Sequence, residues 1–313
     1  MIEGNGWLKK ALAEGGGVSS NVRANVLHGA GVYAIHAGDT DRAKSFIRES
    51  LELCEDTRNR RLMAHILNTL GLWLRSQGDL RQSIAYFERS LVLCRETGAE
   101  AMGASSMAEL AVVNLQSGDL DRAQDLLDES LAIFKSIGDD FGIANVLIFM
   151  ADIQHYRGDD TRAIELLEEA IALFESFDKG LSFKGHNIRA GRLALELKQN
   201  GRAKSISSEY LIIARRAGRK NDIVRCMNVL ARVAVSEGQD TRAARLIGKE
   251  KALRDALSLA LPLEERKSEN VAIAALRDRM SDESFARHIE EGREMTTEDA
   301  IAYALEEKSY AAL

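Results

Sequence analysis

The residue types that most often carry chemistry, histidine and cysteine, are few in this sequence and lie far apart. His28 and His36 are eight residues apart, about two helical turns, and no cysteine or paired carboxylate completes a set of metal ligands around them. The sequence contains no GxSxG, HExxH or CxxC motif and no GxxxxGKS/T phosphate loop. It therefore predicts no enzyme, no bound metal and no cofactor.

The three cysteines, Cys54, Cys94 and Cys226, are too few and too dispersed for a disulfide framework. We expect them to be small buried core residues of a protein from a reducing compartment. The sequence has no signal peptide and no apolar stretch near the roughly 20 residues that a membrane-spanning helix needs. We therefore expect a cytoplasmic protein that does not contact a membrane.

Composition narrows the fold class. Apolar residues make up 45% of the 313 residues and charged residues 29%, which is typical of a chain that buries a core. A single proline disfavours sandwiches and barrels, which need many turns, and favours helices.

The formal net charge of −6 excludes a generic nucleic-acid binder. No recognition helix or stacking aromatic residues accompany the local basic runs, so direct nucleic-acid binding is not expected.

A period of 40 residues organises the sequence. Gly-Asp pairs begin at Gly38, Gly78, Gly118 and Gly158, and the period continues through Lys198 and Gly238. A small residue follows each of these positions by five residues, at Ala43, Ser83, Ala123, Ala163, Ala203 and Ala243. Another small residue precedes each by seven, at Gly31, Gly71, Ala111, Ala151, Gly191 and Ala231. Six copies at one period predict a repeat protein.

Each copy predicts two helices, a first helix (helix A) and a second (helix B). In residues 119–138 the apolar side chains follow the i, i+3, i+4 spacing of an amphipathic helix. The glycine of each pair fits the left-handed position that ends helix A, and the aspartate fits the N-cap of helix B. Gly98, Gly138 and Gly218 are expected to end B helices in the same way. The small residues let paired helices approach closely.

These features resemble the tetratricopeptide repeat (TPR). The family has Leu-Gly in helix A and Ala twelve residues after that Gly, which is matched at Leu70-Gly71 with Ser83, at Leu110-Ala111 with Ala123 and at Leu230-Ala231 with Ala243. The repeat departs from the family in its length of 40 residues and in lacking the proline that often ends a repeat. Most copies also lack the tyrosine of helix A. A 40-residue repeat of this type resembles the sensor region of bacterial LuxR-type and maltose-activator-type signal-transduction ATPases that regulate transcription.

The C-terminal segment is similar to the tail of such regulators. The matching positions are Pro262, Glu265, Arg266, Phe285, Glu291, Gly292, Arg293, Glu298, Asp299, Ala300, Tyr303, Ala304 and Leu305. His288 or Ile289 stands near the position where the family usually has tryptophan. Thr296 and Asp299 predict a capping box for the last helix.

The resemblance implies an all-α, right-handed, TPR-like superhelical solenoid of about six helix-turn-helix repeats over residues 18–259. A C-terminal helical cap is expected at residues 260–313. Residues 1–17 are expected to form a half-repeat or a capping helix, with the helix at residues 7–14. A half-repeat would indicate a longer regulator whose preceding part carries nucleotide-binding and DNA-binding domains, and its apolar edge would favour self-association.

In arrays of this type helix A lines the concave face, which predicts a groove for a partner. The predicted groove residues are Asn25, His28, His36, His65, Asn68, Arg75, Asn145, Asp152, His155, Tyr156, Arg192, Arg225, Asn228 and Arg232. A groove that mixes His, Asn, Arg and apolar residues suits a peptide or a polar small ligand. The alternative is that these polar residues merely solvate a concave surface.

Charge is segregated along the chain. Residues 119–178 contain 15 acidic and 4 basic residues, whereas residues 184–225 contain 11 basic and 3 acidic residues. We interpret the basic part as steering an acidic partner onto repeats five and six, with Arg192, Arg225 and Arg232 on the groove.

Two functions follow from these features. The first is the sensor or interaction region of a transcription-regulator-type signalling protein that binds a peptide, a protein or a small effector. The second is a free-standing TPR scaffold that bridges protein partners.

Overall fold

The computed structural model describes residues 19–176 and 188–306, apart from residues 258, 260 and 262. These residues form fifteen helices and no strand. The helices are α1 Ser20–Ala37, α2 Thr40–Thr57, α3 Arg60–Ser76, α4 Leu80–Thr97, α5 Glu100–Gln116, α6 Leu120–Ile137, α7 Asp140–Tyr156, α8 Asp160–Ser176, α9 Ile188–Glu196, α10 Asn200–Ala217, α11 Lys220–Ser236, α12 Asp240–Ala256, α13 Leu263–Arg279, α14 Asp282–Glu294 and α15 Thr297–Ala304. The prediction of an all-α chain of about six helix-turn-helix repeats is confirmed.

The chain divides into two compact units, Met1–Ser176 and Phe177–Leu313. Among the described residues, unit 1 contains the hairpins α1–α2, α3–α4, α5–α6 and α7–α8, and unit 2 contains α9–α10 and α11–α12 followed by α13, α14 and α15. The predicted helix at residues 7–14 lies outside the described residues. The division into residues 1–17, 18–259 and 260–313 stays a prediction.

The turn between helix A and helix B recurs with the same geometry. Gly78 has φ +83° and ends the first helix in the left-handed region, where a side chain would strain the backbone. Asp79 then caps α4, because its Oδ1 accepts the backbone N–H of Gln82 at 3.1 Å. The same pair of roles recurs in the other Gly-Asp pairs, at Gly38, Gly118 and Gly158 and at Asp39, Asp119 and Asp159. The predicted turn chemistry is therefore confirmed.

The turn that ends helix B is less uniform. Gly98, Gly138 and Gly218 have φ between +60° and +68°, as expected. After α2 the same left-handed position is held by Arg58, at φ +53°. Any residue other than glycine is disfavoured there, so this turn carries local strain that the turns at Gly98, Gly138 and Gly218 avoid.

Small residues allow the two helices of a hairpin to touch. A Cβ on Gly71 would lie 2.7 Å from Cε1 of Phe87, and a Cβ on Gly31 would lie 2.6 Å from Cγ1 of Ile47. The facing small residue Ser83 is buried, and its Oγ donates to the carbonyl oxygen of Gly71 at 2.8 Å. The predicted close approach of the paired helices is confirmed at these crossings.

A second serine bonds across the hairpin in the first three repeats. Ser90 Oγ donates to the carbonyl oxygen of Ala64 at 2.8 Å, and it is fully buried. Ser50 and Ser130 make the same bond one period earlier and later. In the last repeat this position holds Glu250 instead.

Glu250 belongs to a buried ion cluster between α12 and α13. Its side chain is 1% exposed, and neither carboxylate oxygen has a hydrogen-bond partner among the described residues. Oε2 of Glu250 lies 3.4 Å from Nη2 of Arg254, which is 3.0 Å from Oε1 of Glu269. Two carboxyl groups therefore share one guanidinium group.

The last three helices cover the final repeat. Helix α13 contacts α11, α14 packs along α12, and α15 contacts α10, α11 and α12. At the crossing of α12 and α14, a Cβ on Gly248 would meet the carbonyl oxygen of Ile289, and a Cβ on Gly292 would meet that of Arg245. The two backbones are in direct contact there. Thr296 caps α15, with its Oγ1 accepting the N–H of Asp299 at 3.1 Å as the capping-box prediction requires.

Candidate functional site

Helix A of each repeat in unit 1 turns one side to solvent. Counted from the small residue that packs against helix B, the accessible positions lie six and two residues before it and five after it. We call these twelve positions the helix-A face of unit 1. Its members are Asn25, Gly29, His36, His65, Thr69, Ser76, Ser105, Glu109, Gln116, Asn145, Phe149 and Tyr156.

The structure sorts the predicted groove residues into three groups. The first group lies on the accessible rows of helix A and consists of Asn25, His36, His65, Asn145, Tyr156 and Arg225. The second group lies one residue after the small residue, deeper in the surface, and consists of Asp152, Arg192 and Arg232. The third group lies along the side of helix A and consists of His28, Asn68, Arg75, His155 and Asn228. The row two residues before the small residue, which includes Glu109 and Phe149, is accessible but was not among the predicted groove residues. It lies one helical turn, four residues, after the first row.

A histidine pair joins the first two repeats. His28 is buried, and its ring packs edge-on against that of His65 with centroids 4.7 Å apart. Thr69 Oγ1 donates to the carbonyl oxygen of His65 at 3.1 Å, so it accepts from Nε2 of His28, 2.9 Å away. Burial, and secondly His65, lower the pKa of His28 to about 4, which keeps the ring neutral at pH 7. Desolvation also lowers the pKa of His65.

Polar contacts continue between the second and third repeats. Ser106 Oγ donates to Oδ1 of Asn68 at 3.1 Å. Nη2 of Arg75 lies 3.0 Å from Oε2 of Glu109, and both side chains are about one-fifth exposed (17% and 21%). These pairs link successive A helices, so the side chains on this part of the face are held in place before a partner arrives.

The fourth repeat ends the face with an aromatic residue. Tyr156 is 46% exposed, and its ring lies 6.2 Å from that of His155. Nδ1 of His155 lies 2.6 Å from Oδ1 of Asp160. The amide of Asn145 donates to the carbonyl oxygen of Phe141 at 2.9 Å, as that of Asn25 does to Asn21. An exposed tyrosine beside polar side chains is suited to contact a partner.

In unit 2 the predicted arginines are brought together with carboxylates. Nη1 of Arg192 lies 2.6 Å from Oε2 of Glu196 on the same helix. Nη2 of Arg225 lies 3.9 Å from Oε1 of Glu265 on α13. Arg232 is half-buried, and its Nη1 is enclosed without a hydrogen-bond partner in the described part of the chain. Burial lowers the pKa of Arg232, with Arg192 adding to the effect and Glu196 and Glu265 opposing it.

The basic excess of repeat five is partly balanced within the fold. Nζ of Lys204 lies 2.6 Å from Oε1 of Glu306, and Nε of Arg215 lies 2.7 Å from Oε2 of Glu298. The positive charge that the sequence assigns to this repeat is therefore reduced at α10.

The described ranges contain neither a metal-binding cluster nor a membrane-spanning helix. No group of three or more His, Cys, Asp or Glu side chains there is arranged to hold a metal ion. No helix in those ranges combines the length and the apolar character needed to cross a lipid bilayer.

Sequence comparison points to one family. The family described as the MalT-like TPR region matches residues 9–249. No curated protein matches the sequence.

Solved structures share the fold at low sequence identity. Aspartyl phosphate phosphatase F from Bacillus subtilis is 12% identical, with 89% of this chain and 72% of that chain covered and a TM-score of 0.57. The Rap conjugation gene regulator of the plasmid pLS20, in complex with the Phr* peptide, is 14% identical, with 87% and 76% covered and a TM-score of 0.54. A Rap protein complexed with competence and sporulation factor is 13% identical, with 91% and 99% covered and a TM-score of 0.50. At these identities the likeness shows the fold alone.

Proposed function

Because this chain belongs to the family of MalT-like TPR regions, we propose that it is a non-catalytic binding module that takes a peptide or protein segment on its A helices. The observation that carries the proposal is the helix-A face of unit 1. Its accessible side chains recur in register on the four A helices of unit 1, and contacts between repeats hold several of them in place.

The composition of this face suits a peptide. Histidine, asparagine and tyrosine side chains offer hydrogen bonds and flat apolar surface together, as with His65, Asn145 and Tyr156. Interhelical contacts such as Arg75–Glu109 reduce the conformational entropy lost on binding. The structurally similar Rap regulator in complex with the Phr* peptide supports a peptide as the occupant.

The finer part of the proposal is that binding serves signalling. A ligand held by several repeats at once favours one arrangement of those repeats and thereby biases the state of attached domains. The MalT-like family supports the ligand-sensing region of a transcription-regulator-type protein. The binding of a small effector and the self-association of the chain stay predictions.

Selection of a displayed random-peptide library on the purified chain tests the binding proposal. We expect enriched peptides to lose affinity for the double variant His65→Ala/Tyr156→Ala, which removes two accessible side chains of the face. Val92→Ala/Ile137→Ala is the matched control, because these side chains are 53% and 40% exposed but belong to B helices. Circular dichroism verifies that both variants fold. Equal loss in both variants, or no enriched peptide, would overturn the proposal.

Hydrogen–deuterium exchange with a selected peptide tests the sensing role. A binding module of either kind shows protection at α1, α3, α5 and α7. A sensor also shows altered exchange in helices that do not contact the peptide, because binding shifts a population of conformations. Protection confined to the contacted helices would instead favour a scaffold that bridges partners.

A further inference from the structure

Guanidinium groups gather on one side of α11 in unit 2, and one of them, that of Arg232, has a nitrogen without a hydrogen-bond partner in the described part of the chain. Arg225 and Arg232 are seven residues apart, two helical turns, so they share one side of the helix. Arg192 occupies on α9 the same repeat position as Arg232 does on α11. Among the described residues, the carboxylates that act on Arg232 are those of Glu196 and Glu265.

Glu196 and Glu265 each lie closer to another arginine than to Arg232. Glu196 is 2.6 Å from Arg192, and Glu265 is 3.9 Å from Arg225. Both act on Arg232 only through the longer-range electrostatic effect seen in its pKa. The enclosed Nη1 of Arg232 makes no hydrogen bond within the described residues. A donor removed from water without an acceptor costs free energy, which an incoming acceptor would recover.

The protein places a carboxylate of its own, that of Glu265, beside Arg225. Glu265 lies near the start of α13, a helix that contacts α11. Its side chain is only 16% exposed, whereas that of Arg225 is 46% exposed. Arg225 therefore stays open to solvent beside a carboxylate that is too distant for a close ion pair.

We propose that Arg225 and Arg232 form a subsite for a carboxylate of an acidic peptide segment, and that Glu265 is the internal competitor that the ligand carboxylate displaces. This inference rests on the proposed peptide-binding function and names the peptide chemistry that unit 2 takes. Guanidinium groups bind carboxylates through two parallel hydrogen bonds, which lysine cannot do. A ligand carboxylate supplies the acceptor that Arg232 lacks and a counter-charge for Arg225.

The test is fluorescence anisotropy of the full chain with a labelled hexaglutamate peptide at low salt. Glu265→Gln removes the internal competitor, so we expect binding about two- to fivefold tighter, the factor that an exposed ion pair contributes. Asp278→Asn is the matched control, because it also replaces one carboxylate by its amide, at an exposed position of α13. Arg232→Gln removes a charge-assisted hydrogen bond and should weaken binding about tenfold or more. Arg216→Gln, at an exposed arginine of α10, controls for the loss of positive charge.

Circular dichroism and thermal unfolding report the folding of every variant. If Arg232→Gln does not fold, Arg225→Gln takes its place, since this side chain is largely solvent-exposed. The inference is overturned if Glu265→Gln binds hexaglutamate with the same affinity as Asp278→Asn, or if the arginine variant binds it with the same affinity as Arg216→Gln. It is also overturned if hexaglutamate does not bind and a dodecathymidylate oligonucleotide binds with the affinity changes expected for the peptide. If the hexaglutamate test fails but library peptides still bind the helix-A face of unit 1, only this inference is removed. Absence of all peptide binding removes the proposed function as well.

Discussion

The buried carboxyl group of Glu250 predicts a pH-dependent stability that one substitution abolishes. Burial raises the pKa of Glu250 to about 8, with Glu269 and Glu265 adding to the rise and Arg254 and Lys251 opposing it. The folded chain therefore holds a proton on Glu250 at neutral pH, while the unfolded chain releases it near the ordinary value of 4.5.

The sign and size of the effect follow from proton binding. Between the ordinary pKa of 4.5 and the folded value of about 8, only the folded state carries the extra proton. Raising the pH through this window lowers the free energy of unfolding by about 1.4 kcal/mol per pH unit from this group. Over the whole window the loss is on the order of 3–5 kcal/mol. Below the window both states are protonated and the group has no effect on the pH dependence.

The perturbation is Glu250→Gln, which keeps the shape of the protonated side chain and cannot ionise. We expect the variant to match the natural chain at pH 5 and to exceed its stability by a few kcal/mol at pH 8, on the order of the loss above. Hydrogen–deuterium exchange of α12 and α13, corrected for the intrinsic pH dependence of exchange, measures this locally. Asp278→Asn, at an exposed position of α13, should track the natural chain across the same pH range. A constant difference between Glu250→Gln and the natural chain from pH 5 to pH 8 would refute the reasoning.

Three further changes in stability are expected, each measured by urea unfolding. Gly71→Ala should destabilise by about 1–3 kcal/mol because its Cβ overlaps Phe87, and Gly29→Ala, which meets no atom within 4 Å, should be neutral or stabilising; equal effects would contradict the packing argument. Arg58→Gly should stabilise by about 0.5–1 kcal/mol, because glycine relieves the left-handed backbone at φ +53°; a loss of stability would show that the arginine side chain outweighs the strain. Ser90→Ala should cost about 1 kcal/mol through its buried bond, and the exposed Ser136→Ala much less; no difference would mean that the bond contributes nothing.

The periodic features of the fold follow from the sequence because they depend on neighbouring residues. A glycine that ends one helix and an aspartate that caps the next act within a single turn, so Gly78 and Asp79 could be assigned without coordinates. The small residues at helix crossings are similarly local, since the two helices of a hairpin are adjacent along the chain.

The rest depends on contacts between distant residues. Arg215 pairs with Glu298, 83 residues away, so the charge balance of repeat five could not be read from its own composition. Arg254 meets Glu269 across a connection that breaks the 40-residue period, which is why the buried ion cluster escaped prediction. Some predicted groove residues are more deeply buried than the repeat pattern suggests, for a related reason. The side chain of His28 is covered by the next repeat, and periodicity gives the repeat but not how far each neighbour overlaps it.

The backbone contact between α12 and α14 at Gly248 and Gly292 fixes where this protein can be lengthened. No further hairpin can be appended after the sixth repeat, because the surface that would receive it is already taken by α14 without room for a methyl group. An internal position such as that between α4 and α5 has the same turn chemistry on both sides and could accept an additional 40-residue copy. Growth of this protein by duplication, whether natural or engineered, is therefore blocked directly behind the sixth repeat.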